Sequence, residues 1–334
     1  MKVSIADILN IKYPIIQAAM GGGAADSTLV CAVSKAGALG SLGFTSIHTF
    51  EREIIKIKNT LGGLPYCVNL LVPFVTGAHI ECCIKYKVPV VSISFGYKKG
   101  LISALKNAGC KVAYQIGTFS SVSRIVDEGV DFVIVQGNEA GGHLCGKLPL
   151  SELITKLKVH FRDLPIIAAG GIYNAKTASN TMLLGADGVS CGTRFLMSAE
   201  SGAHMQYKQK LVQSNKTLVT TLFGFGWHEQ HRVLENKATK KWLSEKCELS
   251  LSISMINKMA EIVAKYIPDK VQAYIYSRQR LGCPFYTPIL PNTHMEKPNI
   301  QYAAMYAGKC VSHLNSIETV DDIVKEISIG TSVL

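Results

Sequence analysis

The sequence predicts an α/β protein, a (β/α)8 TIM barrel with a mainly helical C-terminal cap. Three observations carry that prediction. Short apolar, β-branched runs recur along the first 195 residues, each is followed by a stretch with helical spacing, and counting these strand-and-helix units gives eight. Eight units favour a closed barrel over its rival, an open doubly wound sheet. The chain has 334 residues, 48% hydrophobic and only 18% charged, enough for one large barrel with a smaller appendage and unlike a disordered chain.

The first unit is the run Tyr13 to Met20, closed by Gly21-Gly22-Gly23, after which Asp26 or Ser27 can cap a helix through Leu29, Val30, Val33 and Ala36. The pattern recurs at 38–42 before a helix over 50–61, and at 66–71 before a helix over 80–86. It continues at 90–93 before 101–108, and at 111–116 before a helix from Ser121 to Glu128. Runs at 131–135, 165–169 and 188–191 complete the set, with helices over 151–159 and 175–184.

After Phe195 the repetition stops. A helix is predicted over 203–213, then an aromatic loop at Phe223-Gly224-Phe225-Gly226-Trp227-His228. A second helix is predicted over 253–267, where Ile253, Ile256, Met259, Ala260, Val263 and Ile267 stand at helical spacing. Prolines 284, 288, 291 and 298 make the next stretch extended or turning, because proline blocks helix and ladder bonds. Residues 302–309 and 317–327 again show helical spacing and are expected to complete the outer ring. The expected division is a barrel core over 1–200, a mainly helical cap and substrate region over 201–300 that folds back over the barrel mouth, and a C-terminal segment over 301–334 that packs back on the barrel.

The net charge of +11 comes from lysines scattered as Lys56-Lys58, Lys98-Lys99, Lys208-Lys210 and Lys240-Lys241, without interleaved aromatics. That reads as solvated helix faces and argues against a nucleic-acid groove, while a positive field would help anionic ligands arrive. Ten cysteines without repeated CxxC spacing indicate free thiols in a reducing compartment and no zinc site. No apolar run approaches the roughly twenty residues of a membrane span, so a soluble, cytoplasmic protein without membrane partners is expected.

Chemistry concentrates at three strand ends. In Val133 to His143 an apolar run ends in Gly137 and Gly141-Gly142, which let backbone approach a flat ligand and deliver one imidazole. His143 is the candidate proton-handling group; the alternative is a histidine that only hydrogen-bonds a loop. Glu139 could orient that imidazole or a ligand hydroxyl, or be a surface carboxylate. Asn69, Gln115 and Gln136 end apolar strands, where their amides could meet a heterocycle's polar edge or simply finish the strand. Gly170, Gly171, Gly192 and Thr193 follow the last two strands and suit a phosphate, since glycine exposes backbone N–H groups and threonine adds a hydroxyl. His228 and His231 flank the aromatic loop with Arg232, and no residues match a metal-binding spacing or a nucleophile elbow.

Taken together, Gln17-Ala18-Ala19-Met20-Gly21-Gly22, Val68-Asn69-Leu70, Gln136 to His143, Ala168 to Ile172 and Gly192 to Phe195 resemble the nitronate monooxygenase family. Trp227 to Leu234 and Met305 to Lys309 resemble further family segments. The resemblance implies a TIM barrel that binds FMN without a covalent bond. Its phosphate would lie at Gly170, Gly171, Gly192 and Thr193 and its ring near Met20, Asn69, Gln115 and Gln136, with Gly21, Gly141 and Gly142 completing the cofactor-binding set. It implies His143 as the catalytic residue, an anionic nitronate and O2 as the small-molecule substrates, and a carbonyl compound plus nitrite as products. A flavin-dependent enoyl-acyl carrier protein reductase or an NAD(P)H:quinone reductase is the alternative activity, and a non-catalytic flavin- or phosphate-binding barrel the alternative from another class. Relative to the family pattern, Ala18 replaces a usual proline, Cys145 lies in an extra residue's worth of loop after His143, and Lys309 stands where glutamine is frequent. The parts played by Tyr302, Tyr306 and Lys309 are not fixed by the sequence.

Overall fold

In the computed structural model the described residues are 4–120, 122–264, 269–295 and 299–332. Met1 to Val3, Ser121, Ile267, Pro298 and the side chain of Val263 lie outside them. Eleven strands are present among the described residues, in order β1 (Ile15–Gln17), β2 (Ser41–Leu42), β3 (Cys67–Leu71), β4 (Val90–Ser94), β5 (Lys111–Ile116), β6 (Phe132–Gln136), β7 (Gly142–His143), β8 (Ile166–Ala169), β9 (Gly188–Cys191), β10 (Thr217–Thr220) and β11 (His231–Leu234). The chain forms two compact units, one of Met1–Ala140, Cys145–Gly202 and Ile317–Leu334, the other of Gly141–Leu144 and Ala203–Ser316.

The first unit is the barrel. Eight parallel strands run in the order β1-β9-β8-β6-β5-β4-β3-β2. The ring closes through a parallel bridge between Ile16 and Leu39, with Gln17 N–H donating to the Leu39 carbonyl at 3.0 Å and Leu39 N–H to the Ile15 carbonyl at 2.9 Å. Helices cover it in the sequence-predicted places, among them Ser27–Lys35, Ile47–Leu61, Gly77–Lys85, Leu101–Asn107, Leu150–His160 and Ala175–Leu183.

Strand side chains alternate between two apolar layers, as a pleated strand requires. Inside the ring, Ile16, Leu39, Cys67, Val90, Ala113, Phe132, Ile134 and Ile167 form one core. Outside it, Ile15, Val68, Val91, Val112, Val133, Val135, Ile166 and Val189 pack against the helices. A short helix absent from the sequence reading, Ile5–Leu9, adds Ile5 and Leu9 to the inner core, where the first residues of β3 and β4 also lie. It therefore seals the N-terminal end, leaving the loops after the strands as the place for chemistry.

One tight approach in the barrel lies between the residue before β2 and the preceding helix. A Cβ added at Gly40 would sit 2.2 Å from the Val30 carbonyl oxygen, and that backbone is buried inside a helix and cannot give way. Gly40→Ala is expected to destabilise the fold by about 3 kcal/mol, as overpacking of a dense core does. Thermal unfolding should show a drop of several degrees; an unchanged melting temperature would contradict this packing.

The last helix, Val320–Thr331, returns to the barrel and completes the outer ring as its spacing suggests. Its N-terminal N–H at Val320 donates to both Glu200 oxygens at 3.0 Å, and Gly330 lies so close to Ala175 that a Cβ would be 2.0 Å from the carbonyl oxygen. Buried Arg194 bonds Glu318 and, at 3.4 Å, Glu326.

The second unit contains helices Met205–Val212, Lys237–Trp242, Leu251–Ala264 and Asp269–Ser277, plus a three-stranded antiparallel sheet in the order β10-β11-β7. The sheet has no counterpart in the sequence reading. Neither does the course of residues 302–309: their helical spacing predicts a helix, but Val233 bridges Tyr306 and Leu234 N–H donates to the Met305 carbonyl at 2.8 Å. With β10 along one edge of β11, this extended segment and β7 share the other. A local apolar pattern yielded to a strand edge that needed partners. No helix among the described residues is long and apolar enough to cross a membrane.

Candidate active site

In the barrel unit, the predicted ligand residues lie at or near the C-terminal ends of its strands, except Asn69, which falls in the middle of β3 because that strand pairs with β4 as far as Leu71. Met20 follows β1, half-buried against the outer core, and its carbonyl is so close to Gly43 that a Cβ there would be 2.0 Å from the oxygen. Exposed Gly21 comes next. Asn69, in β3, is buried, and its Nδ2 donates to the Ser92 hydroxyl at 2.9 Å and the Ser94 hydroxyl at 3.2 Å on β4. These serines were not picked out in the sequence, since a lone serine in an apolar run gives no signal of a polar ladder.

Gln115 in β5 and Gln136 at the end of β6 are on paired strands, and both reach Cys145. The Cys145 N–H donates to Gln136 Oε1 at 2.7 Å, and Gln115 Nε2 donates to Cys145 Sγ at 3.4 Å. Glu139 has a different job from the imidazole partner envisaged above. Its carboxylate accepts from Leu150 N–H at 3.1 Å, so it caps the helix Leu150–His160, where a negative charge complements the N–H groups of the first turn.

The two glycine turns end adjacent paired strands, β8 and β9. Gly170 and Gly171 adopt φ of 130° and 72°, which side chains rarely tolerate. Gly192 differs: its φ is −97°, it caps the short helix Thr193–Leu196, and a Cβ there would meet only the Ala18 Cβ, at 3.7 Å. Space above Gly192 is open, and buried Thr193 follows at the helix start. Backbone N–H groups in turns of this kind form an anion cradle.

His143, Gly141 and Gly142 belong to the second unit. The register of β7 on β11 sets His143 opposite His231 and Gly142 opposite Arg232. The His143 ring stacks on Trp227 with centroids 3.7 Å apart, and meets His231 at 5.2 Å and Tyr306 at 5.4 Å. Gly141 is glycine for a packing reason, since a Cβ would be 2.5 Å from the Ala307 carbonyl carbon and the Gly308 nitrogen.

His231 is held as one neutral tautomer. Its Nε2 accepts from Phe223 N–H at 3.3 Å, so Nδ1 carries the proton and donates to the Glu229 carbonyl at 2.9 Å. Burial pushes its pKa down to about 4. His143 is partly open to solvent, yet its Nε2 is buried, and burial together with His231 holds its pKa well below the ordinary histidine value. The pair is thus neutral near pH 7, with His231 committed to two backbone partners. Tyr306 donates its hydroxyl to the Pro288 carbonyl at 2.8 Å, and burial raises its pKa. Trp227, His231 and Tyr306 were given no role in the sequence reading, although the segments 227–234 and 305–309 that hold them were marked there, because only long-range pairing brings them to His143.

His231 gives a pH dependence of stability. The unfolded chain takes up this proton near pH 6.5, whereas folded His231 does so only near pH 4. The unfolded state therefore binds more protons between those values, and stability falls as pH drops from about 6.5 towards about 4. The loss is on the order of 3 kcal/mol for this one group. Melting temperatures across that range should decline less steeply in His231→Asn than in the wild type; equal slopes would show that His231 does not contribute.

A closed parallel barrel with its polar side chains and glycine turns gathered at the C-terminal strand ends is the architecture of a TIM-barrel enzyme. A family model described as nitronate monooxygenase matches residues 2–80 and 73–330. A probable nitronate monooxygenase of Staphylococcus saprophyticus is 30% identical, with 98% of each chain covered. A Rhodococcus jostii relative, 34% identical over 60% of this chain and 57% of its own, is named (3aS,4S,5R,7aS)-5-hydroxy-7a-methyl-1-oxo-octahydro-1H-indene-4-carboxyl-CoA dehydrogenase. Among solved structures, FabK from Thermotoga maritima superposes with a TM-score of 0.77 at 26% identity, covering 100% of this chain and 98% of that one. The chain belongs to the nitronate monooxygenase family and is an oxidoreductase.

Proposed function

We propose that this enzyme binds FMN and oxidises alkyl nitronates with O2, yielding a carbonyl compound and nitrite. The observation that carries the reading is His143: an imidazole kept neutral by burial and oriented by stacking on Trp227, in a chain of this family. Gly170, Gly171, Gly192 and Thr193 would hold the phosphate. The open space over Gly192 and the left-handed turn at Gly170 and Gly171 fit that group, because both let backbone N–H groups approach an anion. Gln115, Gln136, Asn69, Met20 and Gly21 would face the ring, with Gly141 and Gly142 completing the set.

When bound, FMN supplies the redox chemistry, taking electrons from substrate and returning them to O2. The protein's own part is charge and proton handling. A neutral His143 suits a general base: it can accept the proton from the carbon bearing the nitro group of a neutral nitroalkane, generating the nitronate, with Trp227 fixing the ring plane. The surplus of basic residues attracts the resulting anion. Overall, two nitronate ions and one O2 give two carbonyl compounds and two nitrite ions, which balances atoms and charge.

A second reading is kept because a relative of 34% identity is named a dehydrogenase of a CoA thioester. In that reading the same barrel is a flavin-dependent enoyl-acyl carrier protein reductase or an NAD(P)H:quinone reductase. Oxygen uptake and nitrite release on adding a nitronate, compared with NADH oxidation in the presence of an enoyl thioester or a quinone, separate the two. Nitrite formed without NADH is the expected result; NADH oxidation with no nitrite would replace the first reading by the second.

A further inference from the structure

We propose that Cys145 is a positioning residue that decides which end of each amide, Gln115 and Gln136, is offered to a ligand. The inference rests on the FMN reading above and extends it to a residue outside the predicted site. A backbone N–H can only donate, so the 2.7 Å bond from Cys145 N to Gln136 Oε1 turns the Gln136 carbonyl towards the loop and its NH2 group away. The thiol takes the opposite end of the neighbouring amide, since Gln115 Nε2 donates to Cys145 Sγ, which turns the Gln115 carbonyl away.

The loop cannot drift from this position. A Cβ at Gly146 would lie 1.9 Å from the Gly117 carbonyl oxygen, and one at Gly117 would lie 2.4 Å from the Cys145 carbonyl carbon, so the 145–146 backbone rests directly on the chain leaving β5. One residue thereby sets an N–H donor on Gln136 and a carbonyl acceptor on Gln115, from adjacent strands. That pair is complementary to a ring edge carrying a carbonyl beside an N–H, the pattern on the pyrimidine side of a flavin.

The two tethers separate by substitution. Cys145→Ala removes the sulfur acceptor but keeps the backbone donor, so it releases Gln115 alone; Cys145→Ser restores an acceptor. Cys145→Ala should weaken FMN binding roughly fivefold, as loss of one hydrogen bond does, and shift the visible absorption band of the bound flavin. Cys145→Ser should recover both. On a Gln115→Ala background, Cys145→Ala should have no further effect, the signature of coupled residues. Wild-type affinity and spectrum in Cys145→Ala, or additive losses in the double variant, would overturn the proposal. Failure of the wild type to bind FMN would instead sink the functional reading. In that event the side-chain amide resonance of Gln115 in the ligand-free protein decides the matter: a shift in Cys145→Ala that Cys145→Ser reverses supports the tether, and no shift refutes it.

Discussion

His143→Asn should retain FMN while turnover of a neutral nitroalkane falls by about 100-fold to about 10,000-fold, the range general base catalysis contributes. Retention is expected because the residues assigned to the cofactor's phosphate are carried by β8 and β9 of the barrel unit, whereas His143 is carried by β7 in the second unit. Stability should change little, since asparagine can occupy the two-residue strand opposite His231 and the main loss is a stacked ring. The substrate's protonation state sharpens the test. A preformed nitronate needs no proton removed, so its turnover should fall less than that of the parent nitroalkane; equal losses would take the base role away from His143. In the wild type the acid limb of the nitroalkane profile should lie below pH 6.5, because burial and His231 hold the imidazole neutral above it.

Gly192→Asp should fold and fail to hold FMN. Most glycines at the barrel rim cannot be replaced without disturbing the chain, but Gly192 has an ordinary φ of −97° and open space where a side chain would go. A carboxylate there would replace attraction by repulsion. At about 4 Å and an effective dielectric of about 20, one such charge costs about 4 kcal/mol against each phosphate charge, or a loss of affinity of roughly 1,000-fold. Gly192→Ala, which adds volume without charge, serves as the control and should bind within a few-fold of wild type. Fluorescence titration of FMN measures both. Equal affinities for the aspartate and alanine variants would mean that the phosphate lies elsewhere.

The barrel was legible because its strands are buried on both faces. Runs such as 132–135 and 166–169 are apolar throughout, and each is followed within two residues by a glycine. Gly188–Cys191 was placed to the residue for the same reason. His143 stood out in the sequence as a histidine directly after a glycine pair, but it does not end the strand before it: β6 stops at Gln136, and His143 lies seven residues on, in the two-residue strand Gly142–His143 of the second unit.

What the residues concealed were interactions decided by distant chain. Thr217–Thr220 is mixed in polarity and only four residues long, and it becomes a strand because His231–Leu234 pairs with it. Tyr306 sits in a stretch with helical spacing, yet an open strand edge draws it out straight. Ile5–Leu9 makes little more than one turn, too short for periodicity to register, and gains its stability from the barrel interior. Glu139 looked like a partner for the imidazole four residues on, but the orphan N–H groups of a helix start were a better match for its charge. Cys145 carried no chemical signature at all; its meaning lies in the two amides that converge on it.

The proposed activity requires a flavin reduced by a nitronate without help from a nicotinamide. An anaerobic titration of the FMN-reconstituted protein, followed by its visible absorbance, addresses that most directly. Adding an alkyl nitronate should bleach the visible band of the oxidised flavin, admitting air should restore it with release of nitrite, and NADH should leave it unchanged. A colourless protein that takes up no FMN, or a flavin bleached by NADH and untouched by the nitronate, would contradict it.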